Sequence, residues 1–198
     1  MVAMFGAAKI VSEEYSYHTL QAIVSKPIPR WKVLAAKVVT LFTFCIGFQI
    51  VIFCFSLLSA LIFWGKPDLT KVLVSYQDGI VCRWLIGEIL YLAKYHFLSL
   101  FACSSMVVLL VVIFRNGVIG TSVGVVLYYL TSVVTLSMTN VEWIRHIFFV
   151  NVQFQLPLDG LQLFEKNTLC YSVCNVLSHT IIFIAVTFLL LVRRNADE

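Results

Sequence analysis

Four stretches of this chain, residues 38–65, 95–114, 116–141 and 167–192, contain no Asp, Glu, Lys or Arg. Each is at least as long as the roughly 20 residues with which a helix crosses about 30 Å of hydrocarbon. Backbone polar groups in lipid have no water to bond, so only helices and closed barrels span a bilayer. These runs are too long for barrel strands and do not alternate apolar with polar residues, which leaves helices. Composition agrees: of 198 residues 61% are hydrophobic and 12% charged, with a mean hydropathy of +0.95. A soluble domain carries about 25% charged residues. The expected fold is all-α, a polytopic membrane protein with about four full transmembrane helices and an N-terminal amphipathic helix. The expected spans are 33–64, 95–114, 117–138 and 175–192, all in one membrane domain.

The segments between the spans set the orientation, because basic residues accumulate on the cytoplasmic side. If the N-terminal polar stretch is cytoplasmic, Lys9, Lys26, Arg30, Lys32, Lys37, Arg115, Arg193 and Arg194 share that side with four acids. The opposite side carries six bases and six acids. A multi-pass protein of the cell membrane with its C-terminus in the cytoplasm follows. The modest net charge of +4 forms no stripe suited to nucleic acid.

The opposite side comprises 65–94 and 139–174, expected to be extracellular or interfacial. Within the first, Arg83, Tyr91 and Lys94 fall on one helical face, which suggests an interfacial helix or an outward extension of the second span. The second contains Ile147, Phe148, Phe149, Val150 and Phe154 but also Glu142, Arg145, Asp159 and Pro157. It is too broken to cross, and a partly re-entrant or membrane-lying hairpin is expected.

Residues 1–11 are apolar but too short to span, so they read as a membrane-surface piece or as the last turns of a preceding span. Ser12 is a candidate N-cap for a new helix with Glu13 and Glu14 in its first turn. Pro27 and Pro29 would end that helix near Ser25. At 100° per residue Glu14, His18 and Gln21 share one face, and Tyr17, Leu20 and Val24 another. A short amphipathic helix on a membrane surface is expected, with Arg30, Trp31 and Lys37 as interfacial anchors of the following span.

The sequence from Glu14 to Lys37 resembles the cytoplasmic signature of ABC-2 type transporter permeases. Glu14, Thr19, Ser25, Pro27, Arg30 and Lys37 stand at matching positions, while His18 replaces the family's usual Gly. A glycine there would weaken a helix by about 1 kcal/mol, so His18 should keep it continuous and can pair with Glu14 at i, i+4. The resemblance implies an exporter half: two permeases, alike or different, pair, and each docks a separate cytosolic ABC ATPase through residues 12–32. It assigns that contact to Glu14, Tyr15, His18, Thr19 and Gln21. It also implies that the first span and most of the second, present in family members, are missing ahead of residue 12. The chain carries no Gly-x-x-x-x-Gly-Lys-Ser/Thr loop, so ATP would be bound by the partner, and no cofactor of its own is expected.

Other constellations have competing readings. The run from Gly120 to Gly124 spells a Gly-x-Ser-x-Gly nucleophile elbow, and with His179 it suggests an intramembrane serine hydrolase centred on Ser122. An elbow needs a strand-to-helix turn, however, and Gly120 and Gly124 equally form a small-residue face for helix packing. Gln49, Tyr128, Thr131 and His179 are polar groups within spans that could line a substrate route. Cys170 and Cys174 lie one turn apart without His companions, so no metal site is expected. A further alternative is a non-transporting or regulatory permease-like subunit.

Overall fold

The computed structural model describes residues 2–16, 30–65, 71–76, 79–137, 142–154 and 168–194. Its elements are helix α1 (Val2–Ser16), helix α2 (Arg30–Trp64), strands β1 (Lys71–Tyr76) and β2 (Gly79–Trp84), helix α3 (Leu85–Phe114) and helix α4 (Gly117–Ser137). A 3-10 turn (Glu142–His146), the short helix α5 (Phe148–Val152) and helix α6 (Leu169–Arg194) follow. Among the described residues three segments are long and apolar enough to cross a membrane: Ala35–Phe63, Leu85–Phe114 and Leu169–Leu190. A shorter apolar segment, Gly117–Leu130, lies in α4. The protein is an all-α polytopic membrane protein to which one small hairpin is added.

α2 has 35 residues and is therefore about 52 Å long, well beyond the hydrocarbon thickness. Gly65, at φ +74°, closes it in the left-handed conformation that glycine adopts without strain. Along most of its length α2 exposes large apolar side chains, among them Ile50, Phe55, Leu58 and Ile62. Such a surface is unsustainable in water and unremarkable in lipid. Its packed side rests on α3, where the Phe42 ring meets Phe97 edge-on at 5.2 Å and Phe101 at 5.8 Å.

α3 is the centre of the bundle and touches α1, α2, α4, α5 and α6. Ala102, Val107 and Val111 on it are fully enclosed. It is followed by Arg115 at φ 55°, then by Asn116, whose side-chain Oδ1 accepts the backbone N–H groups of Val118 (2.9 Å) and Ile119 (3.3 Å). One residue in left-handed conformation and one capping amide thus reverse the chain from α3 into α4. The reversal defines one end of the bundle, the Arg115 end. The β-hairpin and α5 lie toward the other.

Four expectations need correction. Residues 2–16 form one unbroken helix, so no new helix starts at Ser12. Its hydroxyl is directed at the Lys9 carbonyl (3.5 Å), the back-bonding available to a serine inside a helix. Nor is the first part of α1 a surface piece, because Ala3, Met4, Ala7 and Ala8 are buried in the bundle. Residues 71–84 form an antiparallel hairpin with Lys71 opposite Trp84 and Tyr76 opposite Gly79. Arg83 therefore belongs to β2 and does not share a helical face with Tyr91 and Lys94. The valines at 72, 74 and 81 are the β-favouring signal that helical periodicity overlooked. Finally, α3 begins at Leu85, ahead of its uncharged run, and α6 begins at Leu169, inside its run but ahead of the span expected from 175.

Candidate functional site

At the Arg115 end three stretches converge. α1 arrives with Ser12 to Ser16, the α3–α4 reversal contributes Arg115 to Gly117, and α2 begins at Arg30. A close contact joins α1 to the reversal: a β-carbon built on Gly117 would lie 2.6 Å from both Cβ and Oγ of Ser12. Any side chain at residue 117 would force these segments apart, so glycine there permits the backbone approach. One helical turn separates this contact from Tyr15 and Ser16, the last residues of α1.

Glu14 and Tyr15 lie in the final turn of α1, and Arg30 and Trp31 in the first turn of α2. Lys37 lies two turns into α2 and is half-buried. His18, Thr19 and Gln21, with Ser25, Pro27 and the rest of the expected amphipathic helix, lie outside the described residues.

Gly120 and Gly124 sit on α4 against α3. A β-carbon at 120 would lie 2.7 Å from the Val111 backbone nitrogen, and one at 124 would lie 2.8 Å from Val107 Cγ2. The two helices therefore approach almost backbone to backbone. Ser122 is exposed in mid-helix, with helix on both sides in place of the strand-to-helix turn of a nucleophile elbow.

The polar residues singled out within the spans fall into separate groups. Gln49 Oε1 is 2.7 Å from His96 Nδ1, a hydrogen bond between α2 and α3. Tyr128 and His179 lie elsewhere, flanking the two aromatic rings of α5. Tyr128 stands edge-on to Phe149 at 6.4 Å, and His179 lies 5.7 Å from the Phe148 ring. His179 Nδ1 is also 2.9 Å from the Asn175 carbonyl in its own helix. Thr131 belongs to α4, one turn beyond Tyr128.

Sequence reading missed three partners. His96 was visible as an ionisable group inside an uncharged run, but nothing local ties it to Gln49. Asn151 of α5 is buried and donates to the carbonyls of Arg145 (2.6 Å) and Ile147 (3.0 Å) while accepting from the Ser172 hydroxyl (3.0 Å). His146 Nδ1 meets the Tyr171 hydroxyl at 2.6 Å. The last two contacts fasten the 3-10 turn and α5 to the start of α6. Among the described residues no three His, Cys, Asp or Glu side chains are grouped to hold a metal ion, and all six cysteines are free.

The family described as "Protein of unknown function (DUF2705)" matches residues 1–196. The chain belongs to the DUF2705 family. It is similar to "Uncharacterized protein YhcI" of Bacillus subtilis (strain 168), 24% identical over 193 residues, which are 96% of this chain and 62% of the relative. It is also similar to "Uncharacterized membrane protein YdbK" of the same organism, 27% identical over 186 residues, 91% of this chain and 70% of the relative. This DUF2705 chain thus spans under two thirds of the first relative's length. No solved structure matches it.

Proposed function

We propose that this DUF2705 chain is a transmembrane permease subunit of an ATP-binding-cassette exporter, working in a pair with a second permease and with separate cytosolic ATPase subunits. The observation that carries this reading is the series Glu14, Thr19, Ser25, Pro27, Arg30 and Lys37 between the end of α1 and the first span. On this reading the Arg115 end faces the cytoplasm of a cell-membrane protein, and so does the C-terminus. ATP-driven closure of the ATPases pushes on the segment beyond Ser12. α1 passes the push to Gly117 and so to the α3–α4 pair, whose close packing makes it move as a unit. Export then follows from a two-state rearrangement of spans whose balance the nucleotide shifts.

The test is affinity purification of the tagged chain from membranes, with ATPase association and ATP turnover measured for wild type and Glu14→Ala. Co-purification of an ABC ATPase, reduced several-fold by the substitution, is expected. Purification without an ATPase, or association and turnover indifferent to Glu14, would overturn the assignment.

A further inference from the structure

Gln49 is the middle residue of the 29-residue segment Ala35–Phe63, with about 21 Å of helix on either side of it. Its partner His96 lies in the second membrane-crossing segment, Leu85–Phe114. The pair sits at the surface of the bundle: His96 is exposed and Gln49 half-buried. The surface around it is hydrocarbon. Ile46 and Phe53 stand one turn to either side of Gln49, and Leu92 one turn before His96, all three exposed.

In hydrocarbon a polar group without a partner is costly, and an ionisable side chain inside a membrane normally faces protein or water. What this pair still has to bond follows from the bond it makes. With His96 Nδ1–H donating to Gln49 Oε1 (2.7 Å), the neutral ring keeps Nε2 as an acceptor and the amide keeps its NH2 as a donor. With the amide turned and the other tautomer, Gln49 donates to Nδ1, the ring keeps an N–H and the amide keeps its oxygen. Either way one donor and one acceptor are left side by side, and among the described residues neither is bonded again. Such a pair is self-complementary: a second copy related by a two-fold axis brings acceptor to donor and donor to acceptor. An identical chain carries the matching arrangement already.

We propose that this face of α2 and α3 is where two copies of the chain associate. The Gln49 amide of each copy bonds the His96 ring of the other, and Ile46, Phe53 and Leu92 pack around the two bonds. A lone polar residue in an apolar seam sets partner and register in coiled coils in the same way. The inference does not rest on the exporter reading, which leaves the paired permeases alike or different. ATPase co-purification decides that reading, and self-association decides this one.

The full chain, labelled at its C-terminus with donor or acceptor fluorophores, is reconstituted in phosphatidylglycerol–phosphatidylethanolamine vesicles, and energy transfer is followed as protein is diluted in lipid. A dimer is expected. Gln49→Leu or His96→Leu should weaken it roughly tenfold, since each abolishes both reciprocal bonds. Mixing the two variants restores one bond, so mixed pairs should associate roughly threefold more tightly than like pairs of either variant. A bond that served only within one chain would give no such gain. In a cysteine-free chain, Phe53→Cys should cross-link to its copy on mild oxidation, whereas Ile181→Cys, exposed on α6, should not. If either leucine variant does not fold by circular dichroism, this cross-linking reads the face by itself. A monomer at every dilution, like and mixed pairs of equal strength, or cross-linking no stronger at 53 than at 181 would overturn the proposal and leave the face to lipid.

Discussion

Ser12 and Gly117 touch where α1 leaves the bundle and α4 begins, so closely that a β-carbon on Gly117 would fall 2.6 Å from the Ser12 side chain. The contact joins the C-terminal half of α1 to the α3–α4 pair. Gly117→Ala should therefore destabilise the protein by about 1–3 kcal/mol, the usual range for overpacking. Ser12→Gly removes both clashing atoms, so the double variant should recover part of that loss. Thermal unfolding in detergent of the four proteins of the cycle measures the coupling. Strictly additive losses would mean that the two residues do not meet.

The reversal beside this contact makes opposite predictions for adjacent residues. Asn116→Ala removes the acceptor used by Val118 and Ile119 and should cost about 0.5–2 kcal/mol. Arg115→Gly relieves a left-handed conformation at φ 55° and should be neutral or stabilising by up to about 1 kcal/mol. The same unfolding assay reads both. Equal losses from the two changes would argue against this turn geometry.

Much of the bundle was legible because lipid exposure demands long uncharged runs. The helix boundaries were not, because charges near α3 are accommodated within the structure. Glu88, only 7% exposed, pairs with Arg83 at 3.4 Å, and Lys94 sits over the rings of Tyr91 (4.4 Å) and Tyr95 (4.7 Å). A charge count treats these residues as the edge of the span, although the helix continues through them. The start of α6 is similarly set by local capping: the Thr168 hydroxyl accepts the Tyr171 N–H at 3.3 Å. The series from Glu14 to Lys37 could be read locally in the sequence. The meeting of Ser12 with Gly117, and of Gln49 with His96, is created by helix packing between distant residues and has no local signature.

The Gln49–His96 bond joins two helices within their membrane-crossing segments. Interhelical hydrogen bonds in membranes average about 0.6 kcal/mol and reach about 1.7. Gln49→Leu and His96→Leu should therefore show a coupling of that size in a double-mutant cycle, read by detergent unfolding. A coupling indistinguishable from zero would show that the 2.7 Å contact contributes nothing to stability.

Asn151 should be more sensitive than its neighbours. Asn151→Leu leaves the Arg145 and Ile147 carbonyls and the Ser172 hydroxyl without their amide partner. Each buried group left unpaired costs about 1–3 kcal/mol. Ser172→Ala breaks one of the three bonds and should be milder. If Ser172→Ala proved as damaging as Asn151→Leu, the amide would not be what fastens α5 to α6.

Cysteine chemistry tests both burial and orientation. Cys45 and Cys103 are enclosed by α3 and its neighbours, whereas Cys82 on β2 and Cys170 at the start of α6 are exposed. Only an accessible thiolate reacts readily with a maleimide. Starting from a cysteine-free background, single-cysteine chains bearing Cys82 or Cys170 should react with a membrane-impermeant maleimide, and those bearing Cys45 or Cys103 should not. If the Arg115 end faces the cytoplasm, intact cells label Cys82 and Cys170 and inverted vesicles do not. Labelling confined to inverted vesicles would reverse the orientation and put the segment after α1 outside, where no cytosolic ATPase could reach it.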